Sequence, residues 1–232
     1  MSASATTSTF HTAAGDIPAY VAMPSQTPAP AILMVASIFG VDDDVRAYAD
    51  RYAERGFIAI AHDPFWRTAP GVRRPTDEKE MAEARARNAA FVMEDGVADL
   101  AAIVAELKTM PAYNGKFAVV GYCFGGRYAF LAAARLHADA AVAFHGVQIG
   151  KHLDEIDSIA CPVSFHFGDA DTAVPMTEVD AIAAAFAGRD DADIGVYAGV
   201  HHGFTAPSRP SYDADATRTS DERSMAILER LK

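Results

Sequence analysis

Apolar residues fall into short unbroken runs, and between them lie longer stretches in which they recur every three or four positions. That is the pattern of strands alternating with helices. Ile17 to Met23 and Ala31 to Val35 read as strands flanking a Pro/Ser/Thr turn at Pro24 to Pro30. Val41 to Arg55 predicts a helix stopped by Gly56, and Phe57 to Ala61 the next strand. A Pro-, Arg- and Gly-containing loop from Asp63 to Thr76 leads to a polar helix from about Asp77. Val97, Leu100, Val104 and Leu107 mark one face of a further helix, ended by Pro111 and Gly115. Phe117 to Val120 is a strand and Phe124 to Leu136 a helix. Ala140 to Phe144 and Val163 to Phe167 have the continuous apolar character of strands buried on both faces. Asp180 to Phe186 reads as helix, Ile194 to Tyr197 as extended chain, and Ser220 to Leu231 as a closing amphipathic helix. The alternation predicts an α/β fold: a mainly parallel central sheet with helices on both faces.

Composition narrows this picture. At 232 residues, half of them hydrophobic, residues 1–232 are expected to form one domain. Its first nine residues, a Ser/Thr/Ala run, are expected to be flexible. The net charge of −11 argues against nucleic acid and anionic membrane as partners. No secretory leader and no eighteen-residue apolar stretch is read, so a cytoplasmic protein without a membrane span is expected. Two cysteines, Cys123 and Cys161, are too few for a disulfide scaffold, and a reducing compartment would keep a thiol usable. Oligomeric state is not legible; a monomer is the default.

The chemistry centres on Gly121-Tyr-Cys-Phe-Gly-Gly126, which follows an apolar strand and opens a helix. This is a nucleophile elbow with sulfur in place of oxygen. A free thiol needs an activating base, and His202 in Gly199-Val-His-His-Gly-Phe204 is the candidate, competing with His201. Asp171, competing with Asp169 in Phe167-Gly-Asp-Ala-Asp171, could hold the imidazole tautomer. The order nucleophile, acid, histidine is that of the α/β-hydrolase fold. The backbone N–H groups of Phe124 and, from the loop Ser37-Ile-Phe-Gly40, of Ile38 are the expected oxyanion donors. Cys161, before Pro162 at a strand start, reads as a packing residue. Arg85 and Arg87 alternate with alanine and read by default as a solvated helix face, with a substrate-binding role for either the alternative. His11, His62, His137, His145, His152 and His166 lack ligand-type spacing, so no metal site is expected.

Gly121-Tyr-Cys-Phe-Gly-Gly126, the Ile38-Phe-Gly-Val41 loop, Met93-Glu-Asp-Gly-Val97, Tyr113-Asn-Gly-Lys116 and the Asp171 and His202 positions together resemble the dienelactone hydrolase family, from about Ile17 to the C-terminal helix. The resemblance implies hydrolysis of an enol-lactone or related carboxylic ester through an acyl-cysteine. It implies a small-molecule substrate, no cofactor, and a setting in aromatic degradation. Three departures point to altered specificity. Ser37 stands where type members carry Glu, which removes a carboxylate that would oppose a resting thiolate. Ala206 and Met81 stand where two substrate-binding arginines are expected, with Arg85, Arg87 and Arg209 as possible replacements. His145 replaces an aromatic, so Ser37, Phe39, Arg85 and His145 are the candidate pocket residues. The competing reading is a non-hydrolytic small-molecule-binding protein in which Cys123 is a redox-sensitive thiol.

Overall fold

The computed structural model describes residues 3–232. The sequence predicts one domain; the fold divides into two compact units, Met1–Lys116 and Phe117–Lys232.

In the first unit, β1 (Ser4–Thr12) and β2 (Gly15–Met23) form an antiparallel hairpin. β2 runs antiparallel to β4 (Ile58–His62), which is parallel to β3 (Ala29–Val35). Every residue of β3 and β4 is buried, as their unbroken apolar runs require. Residues 4 to 9, expected to be flexible, instead belong to β1; Met1 and Ser2 lie outside the described residues. Only Phe10 of β1 is fully buried. A strand that faces solvent on most of its length carries no apolar run, although its threonines suit a pleated backbone.

Three helices complete this unit. α1 (Asp43–Glu54) begins where the Asp42 side chain accepts the Val45 N–H, and Gly56, at φ 87°, turns the chain out of it. α2 (Glu78–Ala89) is capped by Asp77, which accepts the Glu80 N–H. α3 (Met93–Leu107) buries Val97, Leu100, Val104 and Leu107, the predicted stripe.

The second unit takes up the chain within β5 (Tyr113–Tyr122). β5, β6 (Ala140–Phe144), β7 (Val163–Gly168) and β8 (Ala192–Tyr197) pair in parallel, in that order. α4 (Gly126–Arg135) packs on β6 and α6 (Ala214–Leu228) on β7, while α5 (Met176–Ala185) packs on a 3-10 segment, Ile149–Ser158. Beneath the strand ends, the buried His166 ring binds Ser164 Oγ and Ser224 Oγ through Nε2, both at 2.9 Å, and the Tyr197 hydroxyl at 3.0 Å through Nδ1. Burial, with the Arg223 charge, lowers its pKa to about 3, so the ring is a neutral tie between β7, β8 and α6. Arg223 in turn pairs with Asp193.

Candidate active site

β5 delivers its last residue, Tyr122, directly to Cys123, whose backbone is left-handed at φ 54°. A non-glycine residue there is strained, and a one-turn 3-10 segment, Cys123–Gly125, then leads into α4. The glycines around it are steric necessities. A Cβ on Gly121 would lie 2.0 Å from the Gly125 carbonyl oxygen, and one on Gly126 would lie 2.3 Å from Gly146 Cα. The Cys123 carbonyl accepts the Val147 N–H at 3.1 Å, which holds the elbow against the loop after β6. Phe124 follows, buried, with the Arg127 guanidinium over its ring.

β7 ends at Gly168, where any side chain would collide with the Val200 carbonyl oxygen, so the loops after β7 and β8 lie against each other. This close approach separates the competing residues. Asp169 Oδ1 accepts the Gly199 N–H at 2.6 Å and so shapes a turn. Asp171, whose side chain is wholly buried, accepts the Ala173 and Val174 N–H groups on Oδ1 and His202 Nδ1–H on Oδ2 at 2.7 Å. His201 is exposed, its Nδ1 against the Ala170 carbonyl. Cys123 Sγ lies within 4.8 Å of a His202 ring nitrogen, and since Nδ1 faces Asp171, Nε2 is the nitrogen left for sulfur. Burial depresses the His202 pKa, but the hydrogen bonds to Asp171 and Cys123 outweigh it and raise it to about 10. The net effect favours the protonated ring.

A second imidazole completes the cluster. His145 follows β6 in a left-handed conformation, φ 42°, and donates its backbone N–H to the His166 carbonyl at 2.7 Å. Its ring is buried edge-on to His202 at 4.7 Å and to Phe204 at 5.6 Å. Nε2 meets Thr205 Oγ1 at 3.3 Å, and Nδ1 has no hydrogen-bond partner among the described residues. Burial, then the nearby charges of His202 and Arg209, hold its pKa well below the usual histidine range. The sequence predicts no metal site, yet one ligating atom each from Cys123, His145 and His202 lie within 4.8 Å of one another. No spacing along the chain could show this, because the three residues come from three different strand ends.

Ser37, Ile38, Phe39 and Arg85 belong to the first unit. There the loop after β3 folds on its own: the Phe39 N–H meets Ser37 Oγ at 3.3 Å and the Gly40 N–H meets the Ser37 carbonyl at 3.0 Å. Arg85 is exposed on α2. Arg87, expected on a solvated face, is buried. Its Nε and Nη2 donate to the Ile38 carbonyl at 2.9 and 2.6 Å, and Nη1 donates to the carbonyls of Ala69 and Gly71 at 2.9 and 2.7 Å. The guanidinium also stacks over Phe65 at 4.2 Å. Three converging carbonyls are what an alternating Ala/Arg helix conceals; the signal was Ala84, one turn earlier on the same face and also buried. Arg87 is thus occupied. Arg209 lies in the second unit, its Cδ 3.7 Å from where a Gly203 Cβ would stand.

Parallel strands linked by helices, with a tight elbow at Cys123 between strand and helix, define the α/β-hydrolase fold. Comparison with known proteins narrows the class. The model of the dienelactone hydrolase family matches residues 17–231. Carboxymethylenebutenolidase of Pseudomonas putida is 34% identical over 215 residues, covering 92% of this chain and 91% of that one. Its counterpart in Pseudomonas sp. strain P51 is 33% identical over 219 residues, covering 94% and 92%. A Klebsiella pneumoniae crystal structure, of a protein assigned as a dienelactone hydrolase, superimposes with a TM-score of 0.82 at 25% identity, covering 99% of this chain and all of that one. The chain belongs to the dienelactone hydrolase family.

Proposed function

We infer that the protein hydrolyses an enol-lactone or related carboxylic ester through an acyl-cysteine, with Cys123 as nucleophile, His202 as proton carrier and Asp171 as its orienter. One observation carries the reading: within one unit, Asp171 binds His202 Nδ1 at 2.7 Å while the opposite edge of that ring is left for the Cys123 sulfur. Cys123 sulfur attacks the acyl carbon, and the carbonyl electron pair moves onto oxygen. The N–H of Phe124, at the head of the elbow helix, is our donor to that oxyanion. Collapse breaks the acyl C–O bond, and His202 Nε2–H protonates the departing alkoxide or enolate. In a lactone that oxygen stays tethered, so the ring opens without a product leaving. Water then gives a proton to His202 and attacks the thioester. The carboxylic acid is released as the C–S bond breaks, and the thiolate–imidazolium pair returns. Asp171 stays ionised throughout and stabilises the imidazolium.

Arg209 is our candidate for recognising a substrate carboxylate, since its charge bears on the His145 side of the cluster. The test is hydrolysis of dienelactone beside 4-nitrophenyl acetate. Cys123→Ala is expected to abolish turnover of both. Arg209→Ala is expected to raise KM for the anionic lactone by roughly ten- to a hundredfold, the loss of one charge-assisted hydrogen bond, and to spare the neutral ester. Wild-type rates in Cys123→Ala would overturn the mechanism, and equal effects of Arg209→Ala on both substrates would remove Arg209 from recognition.

A further inference from the structure

We propose that Cys123, His145 and His202 form a binding site for a borderline-soft divalent cation of the zinc class, whose occupation reversibly silences the enzyme. The ligand set is one thiolate and two imidazoles, the donors such cations prefer. Their ligating atoms lie within 4.8 Å of one another, whereas a tetrahedral zinc centre needs neighbouring donors roughly 3.3–3.8 Å apart. About an ångström of closure is required, within reach of side-chain rotation at Cys123, which is not fully buried.

Two features beyond proximity point to an ion. His145 Nδ1 is a buried ring nitrogen with no hydrogen-bond partner among the described residues, an arrangement that costs stability unless something binds there. Each histidine also has a polar partner on one ring nitrogen, His202 Nδ1 with the Asp171 carboxylate at 2.7 Å and His145 Nε2 with the Thr205 hydroxyl at 3.3 Å. Such outer partners fix tautomer and ring orientation in histidine–metal sites. Three protein ligands leave the fourth position to water. The ion takes up the thiolate and the Nε2 lone pair of His202, and one proton leaves the thiolate–imidazolium pair for solvent. Hydrolysis needs that sulfur and that nitrogen, so an occupied site is inactive. Metal ligation itself does not depend on the hydrolytic reading; only the inhibition does.

The test uses chelator-treated enzyme titrated with Co²⁺ as spectroscopic probe, then with Zn²⁺ while hydrolysis of 4-nitrophenyl acetate is followed. One equivalent of Co²⁺ should produce a thiolate-to-cobalt charge-transfer band that Cys123→Ala lacks. Zn²⁺ should inhibit reversibly, with EDTA restoring activity. His145→Phe and His145→Gln, each checked for unchanged thermal unfolding, should weaken Co²⁺ binding at least about tenfold, the scale of losing a ligand or its support. No charge-transfer band, a band that persists in Cys123→Ala, or undiminished affinity in both His145 variants would overturn the proposal. A normal cobalt band in a protein whose Cys123→Ala variant still hydrolyses esters would instead overturn the function and leave the site standing.

Discussion

The two cysteines show how environment divides one chemistry into two roles. Cys123 projects from a strained turn beside His202, whereas Cys161 is buried before Pro162 and desolvation pushes its thiol up to about 11. Iodoacetamide at about pH 8 should therefore modify one thiol per folded chain, at Cys123, with Cys161 labelled only after unfolding. Equal labelling of both, read by peptide mass spectrometry, would contradict this assignment. His202 supplies a second residue-level expectation. Its pKa is about 10 folded against 6.5 for the free side chain, so the folded chain binds this proton more tightly than the unfolded one. The stabilisation is complete below about pH 6.5 and disappears as pH rises through about 10. With chelator present, the difference in Tm between wild type and His202→Ala should be largest near pH 6 and narrow towards pH 10. A difference constant across that range would show that His202 does not carry the charge assigned to it.

Among the elements, those with continuous or strictly periodic apolar patterns were legible in the sequence. β3, β4, β6 and β7 are buried along their whole length, and α3 turns its predicted stripe inward. The misses have particular causes. β1 is polar because it faces solvent. α5 starts four residues before the expected Asp180, since Pro175 ends the preceding turn and leaves Met176 as the first helical residue. α6 begins at Ala214, where the Asp213 side chain accepts the Ala216 N–H at 2.9 Å, a cap hidden in a polar stretch. The elbow was readable because its glycines are required sterically and lie next to the cysteine in sequence. Asp171, His202 and His145 were legible as candidates, but the choice between Asp169 and Asp171, the choice between His201 and His202, and the closeness of the His145 ring to His202 depend on loop geometry after three strands. Arg87 is the sharpest element-scale case. Arg87→Met should remove the Arg87 donors from the carbonyls of Ile38, Ala69 and Gly71 and cost at least about 1–3 kcal/mol in urea unfolding. Lys, which cannot fork between carbonyls, should rescue little of that loss. A cost within about 0.5 kcal/mol, ordinary for an exposed position, would refute the clamp.

At the scale of the molecule, family membership spans residues 17–231, and Cys123, Asp171, His202, His145 and Arg209 all fall in the second unit. No helix among the described residues is long and apolar enough to cross a membrane. Ser37, Met81, Ala206 and His145, read from the sequence as departures from the family pattern, are proposed to bear on substrate, and Cys123, Asp171 and His202 are the residues proposed for acyl transfer. The account therefore rests on a covalent intermediate at one sulfur. Its most direct measurement is acid quenching during turnover of 4-nitrophenyl acetate, followed by peptide mass spectrometry. The account predicts an acetyl group on the peptide containing Cys123, formed in a burst with nitrophenolate, and neither adduct nor turnover in Cys123→Ala. Undiminished hydrolysis by Cys123→Ala, or acetylation confined to another residue, would contradict it.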